Sequence, residues 1–255
     1  PFELSFVKVS TSYTPRQVAE GWTETGFSRG WLIFSGRTYP RSMKKPVAII
    51  GFASATFAVI TQWLMILSKG DQTLTTFLLE SIRYYSYMTV WTNILLALCF
   101  GAVAFFPETT WGKFLTEKVV QAATVGYILV VGLAYHFLLA DTFDPKGLEW
   151  FADLLFHYIN PILYTGFWLI FADKERLTYL SSLRWLVWPF TYFIFSLIKG
   201  AITDWYPYFF VDVVKLGYPK VLTVSLMLMV GYALLGFAVV WVSRAMTPET
   251  LPQEA

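Results

Sequence analysis

A polar pair lies inside a long apolar stretch of this chain. Residues 149–173 read EWFADLLFHYINPILYTGFWLIFAD, which is long enough as a helix to cross a bilayer, yet it contains Asp153 and His157. These two residues are four apart, so on a helix they share one face. An ionisable side chain in hydrocarbon costs at least about 2.5 kcal/mol and usually faces a bundle interior or a wet cavity. The pair is therefore a candidate site in which a carboxylate orients an imidazole base.

The composition bounds the class of protein. Of the 255 residues, 56% are hydrophobic, 19% aromatic and only 14% charged, which is too apolar for an ordinary soluble domain. The apolar residues fall in blocks of about 20, the length of a membrane-spanning helix, so we predict an all-α polytopic bundle of six transmembrane helices. The formal charge of +2 does not support nucleic-acid binding. The single Cys99 excludes an internal disulfide and a thiolate zinc cluster.

Six apolar blocks place the helices and the segments around them. The predicted spans are 46–67, 82–106, 118–140, 150–171, 183–199 and 219–242, which make a transmembrane domain over 46–243. Residues 1–45 are predicted to be an N-terminal cytoplasmic extension, and 244–255 a C-terminal cytoplasmic tail. The first segment has no pattern of a cleaved signal peptide, and MKKP at Met43 resembles a translation start. Its aromatic residues make it a candidate contact for a larger membrane complex.

Basic residues indicate the orientation. The side that includes both termini carries 10 Lys and Arg near span ends, and the opposite side carries 6. The ten are Arg37, Arg41, Lys44, Lys45, Lys113, Lys118, Lys174, Arg176, Arg184 and Arg244, and the six are Lys69, Arg83, Lys146, Lys199, Lys215 and Lys220. Because cytoplasmic loops are enriched in Lys and Arg, both termini are predicted to be cytoplasmic.

Polar residues on three spans are predicted to meet at one depth. At about 1.5 Å per helical residue, Thr89 and His157 each lie about 10 Å inside the outer boundary, and His136 lies about 6 to 8 Å inside it. The candidates for substrate contact around them are Ser86, Thr92 and Asn93 on the second span, His136 on the third, and Asn160 and Tyr164 on the fourth. Acidic residues in the outer loops favour a cavity that opens outward.

Each candidate also has a structural interpretation. Ser86 and Thr92 are of the kind that bonds a carbonyl of its own helix or a neighbouring helix. His136 could be hydrated at the interface, His157 could make an interhelical hydrogen bond, and Asp153 could be solvated.

Four segments resemble a known family. They are YMTVWTNILLA at 87–97, FHYINPILYTGFWLIF at 156–171, RWLVWPFTYFIFSLIKG at 184–200 and WYPYFFVDVVKLGY at 205–218. These are similar to bacterial six-helix membrane proteins, distant relatives of the eukaryotic androgen-induced and androgen-dependent-inhibitor-regulating membrane proteins. The eukaryotic relatives are membrane hydrolases of fatty acid esters of hydroxy fatty acids, with a Thr nucleophile and a His. The resemblance covers about 47–242. The nucleophilic Thr of the family, which stands in a Tyr-x-Thr setting before an Asn, corresponds to Thr89.

The rest of the site follows from the same resemblance. The family His, in a His-x-x-x-Pro setting, corresponds to His157, and Thr92 is a second candidate for the nucleophile because the spacing to Asn93 is not fixed. Phe209 stands where bacterial members more often have Pro, which bears on the shape of the outer loop. The resemblance implies a bacterial inner-membrane protein, membrane lipid as its partner, and no cofactor.

These observations lead to one functional hypothesis and one alternative. The hypothesis is an intramembrane hydrolase of fatty-acyl esters, in which His157 activates Thr89, Asp153 orients the imidazole, and Asn93, Ser86 or Tyr164 binds the oxyanion. The alternative is a non-catalytic binding protein or accessory subunit for a lipid, a quinone, a haem or a small solute, in which two histidines could ligate haem or a metal. The aromatic segment 204–212 has two interpretations, a short lid folded over the cavity mouth and a plain interfacial anchor.

Overall fold

The structure is a computed structural model that describes residues 31–34, 37–71 and 73–247. Strands β1 (Trp31–Phe34) and β2 (Arg37–Pro40) pair antiparallel before the helices begin. In the described part of the chain, five helical segments are long and apolar enough to cross a membrane, and a bent helix pair makes up to six. The prediction of an all-α bundle is therefore confirmed, with this hairpin as an addition.

Eleven α-helices are present in the described residues. They are α1 (Lys44–Lys69), α2 (Leu74–Tyr84), α3 (Met88–Ala104), α4 (Thr110–Thr116), α5 (Lys118–Ala134), α6 (Leu148–Leu154), α7 (Asn160–Phe171), α8 (Tyr179–Leu183), α9 (Val187–Thr203), α10 (Val213–Leu216) and α11 (Tyr218–Ala245). Two π-helical turns, Tyr135–Leu139 and Leu155–Ile159, follow α5 and join α6 to α7. Short 3-10 turns lie at Arg41–Met43, Ala140–Thr142, Arg184–Leu186 and Phe209–Val211.

The bundle is held together by close packing of small residues. Ala48, Gly51, Ala55 and Ala58 recur along one face of α1 and are all buried. A Cβ at Gly51 would overlap the ring of Phe100 on α3, so this glycine is required for the approach of the two helices. Small residues let membrane helices pack closely where no hydrophobic force drives them together.

Most of the apolar surface of the spans faces outward. Between 22% and 50% of the most apolar window of each of the five spans is buried within the protein. Large apolar side chains such as Leu64, Ile162 and Trp241 are more than half exposed. Apolar area of this extent requires a lipid environment, which is the arrangement of a multi-pass membrane protein.

The second predicted span is bent rather than straight. The sequence predicts one helix over 82–106, but α2 and α3 meet at an angle of 79°. The backbone is extended at Tyr87, and the carbonyl of Ser86 in the break accepts from the Tyr192 hydroxyl at 2.8 Å. Ser86 therefore lies outside the helix that carries Thr89 and Asn93, although the sequence predicts all three residues on one span. A break in a membrane helix is tolerated because neighbouring side chains satisfy the freed backbone groups.

The two π-helical turns carry residues of the predicted site. Each accommodates an extra residue per turn, and such turns are frequent at functional sites. In the first, Tyr135 faces the bundle interior and continues the buried face of Ile128 and Val131, whereas His136 is exposed. The second contains the buried His157.

Candidate functional site

A cavity of about 440 Å³ lies at the end of the bundle where α1 joins α2, α5 joins α6, and α9 joins α11. Its walls combine residues of the helix ends and connections with residues deeper in the bundle. The first group includes Lys69, Thr142, Phe143, Glu149, Pro207, Tyr208 and Phe209, and the second includes Thr89, Tyr135, Asp153 and His157. The residues predicted to be catalytic thus share one cavity wall.

Thr89, His157 and Asp153 form a line of hydrogen-bonding groups. Thr89 Oγ1 lies 3.4 Å from His157 Nε2, and His157 Nδ1 lies 3.0 Å from Asp153 Oδ1. Because a carboxylate only accepts hydrogen bonds, it favours the proton on Nδ1, which leaves Nε2 free to accept from the threonine. The 3.4 Å separation is long for a hydrogen bond but is typical of an unliganded nucleophile and base. The arrangement can activate a hydroxyl.

Tyr135 holds both partners of this line and was missed at the sequence level. Its hydroxyl donates to Asp153 Oδ2 at 2.6 Å, and its ring stacks on the His157 imidazole with centroids 3.7 Å apart and planes 8° apart. The stack fixes the plane of the imidazole, and the hydrogen bond fixes the carboxylate. A tyrosine in an apolar span is a common interfacial residue, so its type alone gave no signal of this role.

Thr89 lies in the first turn of α3, just after the bend. It is half-buried, whereas Thr92 is fully buried and its hydroxyl has no hydrogen-bond partner among the described residues. The Thr89 N–H donates to the Tyr208 hydroxyl at 3.5 Å. Of the two threonines predicted as possible nucleophiles, Thr89 lines the cavity and Thr92 is buried in the packed interior of the bundle.

Buried amides hold the first turn of α3 in place. Asn93 Nδ2 donates to the carbonyl of Thr89 at 2.9 Å, and Asn160 Nδ2 donates to Asn93 Oδ1 at 2.9 Å. The Ser54 hydroxyl donates to Asn160 Oδ1 at 2.6 Å and completes a chain across α1, α7 and α3. Asn93 and Asn160 are fully buried and do not line the cavity of His157, so they position Thr89 rather than contact a ligand.

Three further residues predicted for the site lie elsewhere. The Ser86 hydroxyl donates to the carbonyl of Ile82 at 2.5 Å, in agreement with its structural interpretation. Tyr164 is buried in the core, where its ring packs edge-on against Phe100. His136 is exposed, and its Nδ1 lies 3.2 Å from the Tyr158 hydroxyl. None of them lines the cavity of His157.

The aromatic segment 204–212 covers the cavity from one side. Pro207, Tyr208 and Phe209 line the cavity. Lys199 ties the segment to α9, because its Nζ lies 3.6 Å from the centre of the Trp205 ring and 3.3 Å from the Trp205 carbonyl. The expected position of this segment beside the cavity is thus observed. Tyr208 was missed as a neighbour of Thr89, although the aromatic crowding around a proline was the available signal.

The remaining charges near the cavity are paired. Lys69 Nζ and Glu149 Oε1 lie 2.6 Å apart and join the end of α1 to the start of α6 beside the cavity. In the ranges described by the structure, no three His, Cys, Asp or Glu side chains are grouped so that they could hold a metal ion. The two histidines considered as haem or metal ligands point in different directions.

The chain was also compared with known proteins. No family model, no curated protein and no solved structure matches it.

Proposed function

We propose that the protein hydrolyses fatty-acyl esters in the membrane, with Thr89 as the nucleophile and His157 as the base. One observation carries this proposal: a half-buried hydroxyl, an imidazole and a carboxylate stand in line beside a cavity, with separations of 3.4 and 3.0 Å. A hydroxyl is a weak nucleophile without an adjacent base, and the base gains from a third group that orients it. The membrane-spanning bundle favours a lipid as the substrate.

The reaction proceeds in two steps. Thr89 Oγ1 attacks the acyl carbonyl carbon while His157 Nε2 takes the hydroxyl proton, and Asp153 stabilises the imidazolium. The tetrahedral intermediate collapses, the carbon–oxygen bond to the alcohol breaks, and the leaving alkoxide takes the proton from Nε2. Water then attacks the acyl-threonine with Nε2 again as base, which releases the fatty acid and restores Thr89.

Two donors beside Thr89 are suited to the oxyanion. These are its own N–H, at the N-terminal end of α3, and the Tyr208 hydroxyl, which lies 3.5 Å from that nitrogen. The end of a helix favours negative charge there, and the loss of one oxyanion donor typically lowers the rate by about 10²- to 10³-fold. Asn93, Ser86 and Tyr164, the candidates from sequence, bond other groups or lie in the core. We therefore assign the oxyanion to Tyr208 and the Thr89 N–H.

The similarity to the six-helix membrane family supports the same pair of residues, since its Thr and His correspond to Thr89 and His157. It also supports a bacterial inner membrane as the location, with both termini in the cytoplasm as the Lys and Arg distribution indicates. The cavity would then open toward the outside, because the connections that line it are on the side opposite the termini.

The test is the hydrolysis of a fatty-acyl ester by purified protein in detergent. Thr89→Ala and His157→Ala should each abolish turnover, and the double variant should lose little more, because residues that act as a unit are strongly non-additive. Thr92→Ala is the matched control and should remain active. A fluorophosphonate adduct on Thr89 that disappears in His157→Ala would show activation of this hydroxyl.

Two results would argue against the proposal. Turnover that is indifferent to Thr89 would refute the nucleophile. A well-folded protein without activity on any acyl ester would favour the alternative of a non-catalytic binding protein or accessory subunit, and a Soret band in that protein would identify the ligand as haem.

A further inference from the structure

A second, smaller cavity adjoins the catalytic line. It has a volume of about 80 Å³ and lies between α3, α5, α9 and α11. Thr89, Tyr135, Leu139 and Tyr208 line both this cavity and the larger one. Thr89 thus lies where the two cavities adjoin.

The two spaces differ in chemistry. The smaller one is lined mostly by apolar and aromatic side chains, among them Val131, Leu228 and Met229, and has no charged residue in its wall. The larger one includes Gln62 and the ion pair of Lys69 and Glu149. An alkyl chain gains free energy of transfer in the first space, whereas polar groups find partners in the second.

We propose that the small apolar cavity holds the acyl chain of the ester and that the large cavity holds its alcohol part. This assignment rests on the proposed hydrolysis at Thr89, because the scissile carbonyl must lie where the two cavities meet. The small cavity of about 80 Å³ limits the length of the acyl chain, whereas the large cavity of about 440 Å³ accepts bulky alcohols. The enzyme therefore prefers short to medium acyl groups.

Met229 on α11 is the side chain with which the size of the acyl cavity is tested. It is partly buried and lines the small cavity, whereas Met227 on the same helix is 67% exposed on the outer face. Met229→Ala deepens the cavity by the length of a thioether side chain. Met227→Ala removes the same atoms from the outer surface of the bundle and is the matched control.

The first experiment measures kcat/KM for p-nitrophenyl esters with acyl chains of increasing length. The ratio of the C10 ester to the C6 ester should rise about tenfold in Met229→Ala, because a single methylene in an apolar pocket changes discrimination by 10-fold or more. The same ratio should stay unchanged in Met227→Ala. A profile that is identical in wild type and Met229→Ala, or that shifts equally in both variants, overturns the assignment.

The second experiment separates this assignment from the proposed hydrolysis. A non-hydrolysable octanamide with a terminal alkyl diazirine is photolysed with the full-length protein and with Thr89→Ala, and the labelled residues are mapped by mass spectrometry. Labels on Leu228 and Met229 support the acyl cavity even if no ester is hydrolysed. Labels on Ile66 or Phe143, in the wall of the large cavity, overturn it even if hydrolysis is found.

Discussion

Replacement of Asp153 by Asn tests whether this carboxylate orients the base. In the structure the side chain accepts from the Tyr135 hydroxyl at 2.6 Å, and its Oδ1 lies 3.0 Å from His157 Nδ1. An amide of the same shape has one acceptor oxygen and one NH₂ donor, so it cannot serve both. If the NH₂ group faces Nδ1, the imidazole proton moves to Nε2, which can then no longer accept the proton of Thr89.

The size of the effect follows from a second contact. In serine proteases the equivalent replacement lowers kcat by about 10⁴-fold through the wrong tautomer. Here the main-chain oxygen of Asp153 also lies 3.1 Å from Nδ1 and retains part of the preference for the correct tautomer. We therefore expect a loss of about 10²-fold in kcat, or about 2.7 kcal/mol, with KM nearly unchanged.

The assay is steady-state hydrolysis of a medium-chain p-nitrophenyl ester, with thermal unfolding measured in parallel. Tyr135→Phe is the control because it retains the stack on the imidazole and removes only the hydroxyl donor to Asp153. It should lower kcat by about 10-fold, since one hydrogen bond to a charged group contributes about 1.5 kcal/mol. An Asp153→Asn protein with unchanged kcat would refute the orienting role, and a change in KM alone would make Asp153 a substrate contact.

Three further outcomes are expected. A cysteine that replaces Asp144, in the predicted outer connection, should react with an impermeant maleimide in whole cells. A cysteine that replaces Glu108, on the opposite side, should react only after lysis, and the reverse pattern would mean the opposite orientation. Asn160→Ala should lower the free energy of unfolding by about 1 to 3 kcal/mol in detergent, because it leaves two buried partners unpaired; an unchanged melting temperature would contradict this role. Trp205→Ala should lower thermal stability, because the contact with Lys199 is lost, and should raise KM if the segment 204–212 is a lid. Lower stability with an unchanged KM would show that this segment is a plain interfacial anchor.

Features with a local cause were predictable from sequence. Because the thickness of a bilayer sets the length of a spanning helix, which rises about 1.5 Å per residue, apolar blocks of this length indicate spans. The structure has a helix in each predicted range. The depth of Thr89 and His157 could be counted in the same way, and the two side chains meet although 68 residues separate them. In a membrane bundle the depth of a residue follows from its position along the helix, so residues of equal depth on neighbouring helices can meet.

Features that depend on rotation about a helix axis, or on distant contacts, were decided by tertiary packing. The rotation of α5 against its neighbours puts Tyr135, and not His136, at the cavity, and the 79° bend at Tyr85–Tyr87 separates Ser86 from the helix of Thr89 and Asn93. Tyr208 reaches Thr89 from 119 residues away, through a loop whose path is held by Lys199 and Trp205. A period of 3.6 residues assumes an unbroken α-helix, so it fails where a span bends, and this bend lies directly before Thr89.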